Sequence, residues 1–213
     1  MGMAAINGAV NHVKWDDGIK LSVIGECMPI GLCGSGLLDA LALLLETGAV
    51  DETGRMLGAG EIDHEIKGNI GDINGKNVFW LTREGEGVYM SASDVRKLQL
   101  AKSAIAAGIQ TLLKHTGIGE EQVKTFVLAG GFGSFMDQYS AARIGLIPKS
   151  FLPIAQTLGN TAGEGAAIAL SSEKARSALG DMRARCEYIE LSSSPIFNEQ
   201  FVEQMTFPEQ EVQ

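Results

Sequence analysis

Residues 126–136, which read FVLAGGFGSFM, decide the fold class predicted from this sequence. A run of apolar β-formers ends there in two adjacent glycines, Gly130 and Gly131, and a helix is predicted over 134–143. At the carboxyl end of a strand in an α/β protein, glycines let the backbone approach a ligand, and the next helix N-terminus favours anions. A tight turn without a ligand would use glycine too, because glycine permits positive φ. The residues alone leave both interpretations open.

The first half of the chain contains clear hairpin and helix signals. Residues 8–25 predict a β-hairpin, because Asp17-Gly18 is a strong turn signal between two strand-like runs. Residues 35–47 are apolar on nearly every face and predict a buried helix that ends at Gly48. Residues 49–77 lack periodicity and predict an irregular insertion with short strands.

The second half continues the alternation of strands and helices. The runs VFWLT and GVYMS predict a second hairpin across residues 83–86. Ser91 and Asp94 have the spacing of a capping box for a helix over 94–116. The apolar positions at helical spacing in that helix are Val95, Leu98, Ala101, Ile105, Ile109 and Leu112. A strand over 124–129 follows.

The remaining elements complete a layered α/β pattern. Residues 146–154 form a loop marked by two prolines, and a helix is predicted over 160–171. The run CEYIEL at 186–191 predicts a strand, and 197–205 predicts a short amphipathic segment. This order of elements is typical of α/β layered folds.

Composition narrows the function classes. The chain has 213 residues with 45% hydrophobic residues, which fits one large domain or a compact two-lobed unit. A net charge of −9 argues against nucleic-acid binding. The longest apolar run, 37–45, is too short to span a membrane. Three cysteines form an odd, sparse set, which is typical of a reducing cytoplasm.

A second glycine-rich segment, GLCGSG at 31–36, precedes the buried helix. Its backbone amides could surround a phosphate. It is not a P-loop, because no Lys-Ser/Thr pair follows, and Asp39 stands where a dinucleotide fingerprint needs its third glycine. Cys33 has no partner at metal-ligand spacing, so a small buried thiol is favoured over a ligand or nucleophile.

Two further stretches allow more than one interpretation. Residues 159–167, GNTAGEGAA, place small residues on two helix faces, although each glycine inside a helix costs about 1 kcal/mol. Close packing and a hinge remain equally open. Asp63-His64-Glu65 could suggest a metal, but three consecutive residues cannot all face one site, so a solvated loop is preferred.

Taken together, these segments resemble the C-terminal region of the reductive activators of corrinoid proteins. The ATPase domain of that family belongs to the acetate and sugar kinase, heat-shock chaperone and actin superfamily. The similarity extends over nearly the whole chain. The stretches that carry it include GLCGSGLLD at 31–39, DVR at 94–96, LAGGFG at 128–133, IGLIP at 144–148 and Gly159-Asn160.

The resemblance implies a fold and a set of site residues. The expected fold is α/β: an actin-like (ribonuclease H-like) ATPase lobe spanning 1–213, with a mixed sheet and flanking helices, incomplete relative to the two-lobed domain. Residues 49–77 would be an insertion and 186–213 a C-terminal tail. The adenosine motif would supply Gly130, Gly131, Phe132, Gly133 and Ser134 to adenine and ribose. A weaker second set is Gly34, Ser35 and Gly36, and residues 159–167 resemble the second connecting motif at the hinge. No catalytic or metal-binding residue is predicted.

The resemblance also implies an activity for a longer protein. Such proteins couple ATP, with Mg²⁺, to the reduction of a Co(II) corrinoid protein of a methyltransferase system to Co(I). Their electrons come from a [2Fe-2S] cluster on an upstream ferredoxin-like domain. That domain and the acidic-Gly-Thr phosphate hairpin are absent from this sequence. We therefore expect a piece cut from a longer protein or a shortened gene product, without efficient ATP hydrolysis by itself.

Two alternative functions are compatible with the residues. One is the lobe of a small-molecule kinase of the same superfamily. The other is a non-catalytic module that docks a corrinoid protein or forms a homodimer through the helix at 94–116 and the apolar tail at 197–207.

Overall fold

The computed structural model describes residues 2–83 and 87–209. The strands are β1 (Ala9–Trp15), β2 (Ile19–Val23), β3 (Gly31–Leu32), β4 (Ile70–Ile73), β5 (Lys76–Thr82), β6 (Val88–Ser91), β7 (Phe126–Leu128) and β8 (Ala155–Thr157). The helices are α1 (Gly34–Glu46), α2 (Ala92–Thr116), α3 (Gly130–Phe135), α4 (Gln138–Arg143), α5 (Thr161–Ser171), α6 (Glu173–Ala184) and α7 (Pro195–Glu203). The mixed α/β class is confirmed.

The strands form three small sheets, with orders β2-β1-β3, β4-β5-β6 and β7-β8. Both predicted hairpins are confirmed, because β1 pairs antiparallel with β2 and β5 pairs antiparallel with β6. The turn of the second hairpin includes residues 84–86, which lie outside the described residues. Parallel pairing joins β1 to β3 and β7 to β8.

The core centres on α1, which lies against β1. Strand β3 pairs on one side with Gly2 and on the other with the first two residues of β1. Beyond them, α1 side chains satisfy the backbone of β1: Ser35 Oγ donates to the Asn11 carbonyl at 2.8 Å, and Asp39 accepts from the Val13 amide at 3.4 Å. Helix α1 therefore covers an edge that another strand would otherwise occupy.

The long helix α2 begins and ends as predicted. Ser91 and Asp94 form the capping box, and Gly117 adopts the left-handed conformation (φ 67°) after the last turn. The buried face differs from the predicted apolar stripe, since Ile105 and Leu112 are 46% and 50% exposed. The buried face instead contains Gln99, Lys102, Ser103, Ala106, Ala107 and Thr111 along with Val95.

Polar residues of α2 are buried because they bind the chain that follows α7. We call residues 204–207 the C-terminal segment. Ser103 Oγ donates to the Gln204 carbonyl at 2.9 Å, and Gln99 Nε2 donates to the Met205 carbonyl at 2.7 Å. Lys102 Nζ donates to the Thr206 carbonyl at 2.7 Å. Helix α7 also packs on α2, so part of the tail proposed as a docking surface contacts this helix.

Several predicted elements were wrong. The helix predicted over 134–143 is two short helices, α3 and α4, because the chain is extended at Met136 and Asp137 caps the second helix. Residues 186–191 are irregular, since no neighbouring strand pairs with them among the described residues. Strand β8, directly after the proline-marked loop, was missed, and α6 was missed although Ser172 caps it.

Candidate functional site

The adjacent ends of β7 and β8 form one side of the candidate site. Leu128 pairs with Thr157, and the Gly130 amide donates to the Gly159 carbonyl at 2.7 Å just beyond the strands. Gly130 (φ 92°) and Gly159 (φ 48°) adopt positive φ, where a side chain is strained. Both strands therefore end at the same edge, which is where α/β folds bind ligands.

The two glycines singled out from the sequence border open space. A Cβ atom added at Gly130 or Gly131 would meet no atom within 4 Å. The positive φ of Gly130 explains why that position is glycine. Gly131 does not have a positive φ, and packing does not require glycine there either. Gly133 is buried, with ordinary van der Waals spacing to Leu128. Ser134 Oγ donates to the Gly130 carbonyl at 2.8 Å, so this hydroxyl stabilises the turn.

Phe132 joins the two predicted glycine-rich segments. A Cβ atom added at Gly34 would lie 2.5 Å from the Phe132 ring, so only glycine lets the ring lie over the start of α1. The ring is 50% exposed. The structure therefore brings Gly34 and Gly130–Gly131 to neighbouring parts of the surface, which the sequence could not show.

The other two residues of the second set are used in packing. Gly36 lies so close to β1 that an added Cβ would collide with the Val10 carbonyl oxygen. Ser35 is buried and bound to Asn11. Cys33 is a buried free thiol whose Sγ lies 3.4 Å from the Val10 carbonyl, in agreement with the buried-thiol interpretation. Gly34 is the member of this segment that reaches Phe132.

Helices α5 and α6 pack mainly on each other and bury none of their residues. A Cβ atom added at Gly165 would meet no atom within 4 Å. Packing inside the described part of this chain thus gives no reason for glycine at that position. Gly163 lies against the side chain of Asn160, which caps α5 by accepting from the Gly163 amide at 3.1 Å. The choice between packing and a hinge stays open.

A pair formed by a half-buried histidine and a buried aspartate was missed from the sequence. His12 Nδ1 lies 2.9 Å from Asp39 Oδ2, and Asp39 is only 3% exposed. The other oxygen of Asp39 is buried and has no hydrogen-bond partner among the described residues. Two cavities lie nearby: one of about 910 Å³ between β1, α1 and α4, and one of about 370 Å³ against the β1–β2 hairpin. The sequence signal for this pair was Asp39, an acidic residue inside the apolar run 37–45.

Within residues 2–83 and 87–209, no group of three or more histidine, cysteine and acidic side chains is arranged to hold a metal ion. His64 accepts from the Ile66 amide and caps a short 3₁₀ helix, Glu65–Asn69. In the same ranges, no helix combines the length and apolar character that a membrane crossing requires.

The α/β architecture, with glycine-rich turns at the end of a parallel strand pair, is that of an actin-like ATPase domain. A family model described as the C-terminal domain of RACo, the ASKHA domain, matches residues 1–213. The chain belongs to this family.

Comparisons with individual proteins agree with that assignment. The chain is 34% identical over 210 residues to the corrinoid activation enzyme RamQ of Eubacterium limosum, covering 95% of this chain and 35% of RamQ. It is 24% identical over 185 residues to the [Co(II) methylated amine-specific corrinoid protein] reductase of Methanosarcina barkeri, covering 84% of this chain and 29% of that protein.

A solved structure of a reductive activator for corrinoid, iron-sulfur protein superposes with a TM-score of 0.85 and 30% identity. The superposition covers 97% of this chain and 33% of the activator. This chain therefore spans about a third of the length of each of these proteins.

Proposed function

We propose that this chain is the nucleotide-binding lobe of an ATP-dependent reductive activator that returns an inactive Co(II) corrinoid protein to Co(I). The relatives are named for corrinoid activation and for reduction of a Co(II) corrinoid protein, and the family supports the same role here. The observation that carries the proposal is the open face at Gly130 and Gly131 beside Phe132, at the end of β7.

The residues present fit an adenosine. Bare backbone at Gly130 and Gly131 gives a flat surface, and the half-exposed ring of Phe132 adds an apolar wall. In this proposal these residues and Gly34 contact the base and ribose. When bound with Mg²⁺, ATP would supply the energy of phosphoryl transfer, and no residue of this chain is assigned to that step.

The [2Fe-2S] cluster of the proposed activator does not fit this chain. Cys33 is buried, Cys27 and Cys186 are exposed, and the described residues hold no group that could ligate a metal. The proposal therefore places the cluster on a part of the protein outside these residues. The corrinoid protein is the proposed partner, and its methyl donor is left unspecified.

Calorimetric titration with ATP tests the nucleotide part. We expect micromolar binding by the chain. Gly131→Leu should weaken it by roughly tenfold or more, because the new side chain fills the space assigned to the ligand. That substitution should leave the fold intact, since nothing lies within 4 Å of the added Cβ. The matched control is Gly180→Leu on α6, which also faces open space.

Two results would count against the proposal: a folded chain that does not bind ATP, or equal ATP affinity in the Gly131 and Gly180 variants. The activity of the whole protein needs a separate assay. The change in corrinoid absorbance from Co(II) to Co(I) would be followed with ATP and an electron donor, and Gly131→Leu should slow that change.

A further inference from the structure

The solvent-facing side of the β1–β2 hairpin concentrates basic side chains. In the antiparallel register, His12 lies opposite Ser22 and Lys14 lies opposite Lys20. Because side chains alternate along a strand, these four residues share one face. Val13, on the opposite face of β1, is buried in the core.

The two lysines are adjacent but unpaired. Like charges placed directly opposite each other on neighbouring strands are destabilising. Within the described ranges, neither Lys14 nor Lys20 forms an ion pair. The chain has 26 acidic and 17 basic residues other than histidine, so acidic partners are plentiful overall. Lys14 and Lys20 therefore place two positive charges side by side on the surface of an acidic protein.

His12 is held in place from behind by a buried acid. Its Nδ1 lies 2.9 Å from Asp39 Oδ2, and that oxygen also accepts from the Val13 amide. Asp39 is fixed on α1, so the imidazole has a defined orientation, and Nε2 is left without a partner in the described residues. A histidine that is oriented by a second group in this way is typical of ligand-binding sites.

A cavity of about 370 Å³ lies over this face. It is lined by His12, Lys14, Lys20, Leu21, Ser22 and Asp137. The carboxylate of Asp137 already accepts from the Ser140 amide at 2.8 Å, where it caps α4. The ammonium groups of the two lysines and the Ser22 hydroxyl in the lining can donate hydrogen bonds.

We propose that this face binds a phosphate-type oxyanion, either free phosphate or the phosphoryl group of a larger ligand. Lys14, Lys20 and the Ser22 hydroxyl would donate to it, and the imidazole of His12 would lie beside it. A phosphate presents more oxygens and a larger negative charge than a carboxylate, which suits several cationic donors at once. Asp39 is a positioning residue. The proposal does not depend on nucleotide binding at Gly130 and Gly131.

The test is an NMR titration of the chain with inorganic phosphate at constant ionic strength. We expect saturable shifts of the His12, Lys14 and Lys20 resonances. Lys14→Gln and Lys20→Gln should each weaken phosphate binding about tenfold, the loss expected for one charge-assisted hydrogen bond. Lys124→Gln, an exposed lysine outside this face, is the matched control and should bind like the unaltered chain.

Further titrations with acetate, AMP and ATP identify the ligand class. The proposal is overturned if phosphate does not bind, if acetate binds as tightly, or if the two lysine variants match Lys124→Gln. If ATP but not AMP shifts the same resonances and competes with phosphate, the ligand is a nucleotide phosphoryl group. If phosphate binds equally with and without ATP, the ligand is a separate oxyanion. Competition by ATP and binding independent of ATP would each support an oxyanion site on this face. Failure of ATP binding alone leaves this phosphate titration unaffected.

Discussion

The buried lysine of α2 makes the stability of this protein depend on pH in an unusual direction. Lys102 is 1% exposed, and it donates to the Thr206 carbonyl with its ammonium 5.1 Å from the centre of the Phe207 ring. Burial lowers the pKa of Lys102 from 10.5 to about 8. Between these two values the unfolded chain binds more protons than the folded chain, so stability rises as the pH rises.

The size of the effect follows from the two pKa values. A difference of one unit corresponds to about 1.4 kcal/mol, so a folded pKa near 8 and an unfolded pKa near 10.5 give a gain of about 2.5 kcal/mol between pH 7 and pH 10. Contact of the ammonium with the Phe207 ring makes this an upper bound. Lys102→Met removes the titrating group and should remove the gain.

Urea denaturation followed by circular dichroism at several pH values measures the effect. Every other group titrates in both proteins, so the quantity of interest is the difference in unfolding free energy between Lys102→Met and the unaltered chain. From pH 7 to pH 10 the unfolding free energy of the unaltered chain should rise by about 2.5 kcal/mol relative to that of Lys102→Met. Lys97→Met, an exposed position on the same helix, provides the control and should show no such trend. Parallel stability curves for the Lys102 variant and the unaltered chain would refute the reasoning.

Three further substitutions and one assay test other parts of the structure. Gly36→Ala should destabilise the fold by about 3 kcal/mol or leave it unfolded, because the added methyl meets the Val10 carbonyl; a thermal midpoint unchanged by this substitution would contradict the packing described. Asp94→Ala should cost about 1 kcal/mol at neutral pH through loss of the capping box. Burial raises the pKa of Asp94, but hydrogen bonds from the Ser91 hydroxyl and amide lower it, and the pKa lies below its usual value. The stabilisation from Asp94 should therefore fade as the pH falls through that lowered pKa. Urea titrations that show no such loss would count against this account. Gly117→Ala should cost about 1 kcal/mol in the same assay because of its positive φ, and a neutral result would dispute the helix end. The chain alone should not turn over ATP steadily, and measured steady release of phosphate would contradict that expectation.

Features that depend on nearby residues could be predicted from the sequence. The Asp17-Gly18 turn, the capping box at Ser91 and the helix end at Gly117 all lie within a few residues of the groups they organise. The glycine-rich turn after β7 was found for the same reason. Its assignment to adenosine stays a prediction, because it rests on family resemblance and on open space at Gly131.

Features set by distant residues could not be predicted. Helical periodicity favoured an apolar stripe on α2, whereas the buried face includes Gln99 because its partner, the Met205 carbonyl, lies 106 residues away. The contact of Phe132 with Gly34 and the pairing of His12 with Asp39 also join separate parts of the chain. Residues 186–191 have strand-forming side chains but no strand beside them among the described residues, so tertiary context overrode local propensity.

The bonds between α2 and the C-terminal segment also set an order of events during folding. Gln99, Lys102 and Ser103 donate to the carbonyls of residues 204–206. During synthesis these acceptors leave the ribosome about a hundred residues after the helix, so a polar stripe of α2 stays hydrated until residues 204–206 have emerged. Closing so long a loop is slow, so this segment should dock on α2 after the helix itself has formed. A nascent chain that stops before Gln204 would keep α2 helical by its caps yet lack the contacts that bury its polar face.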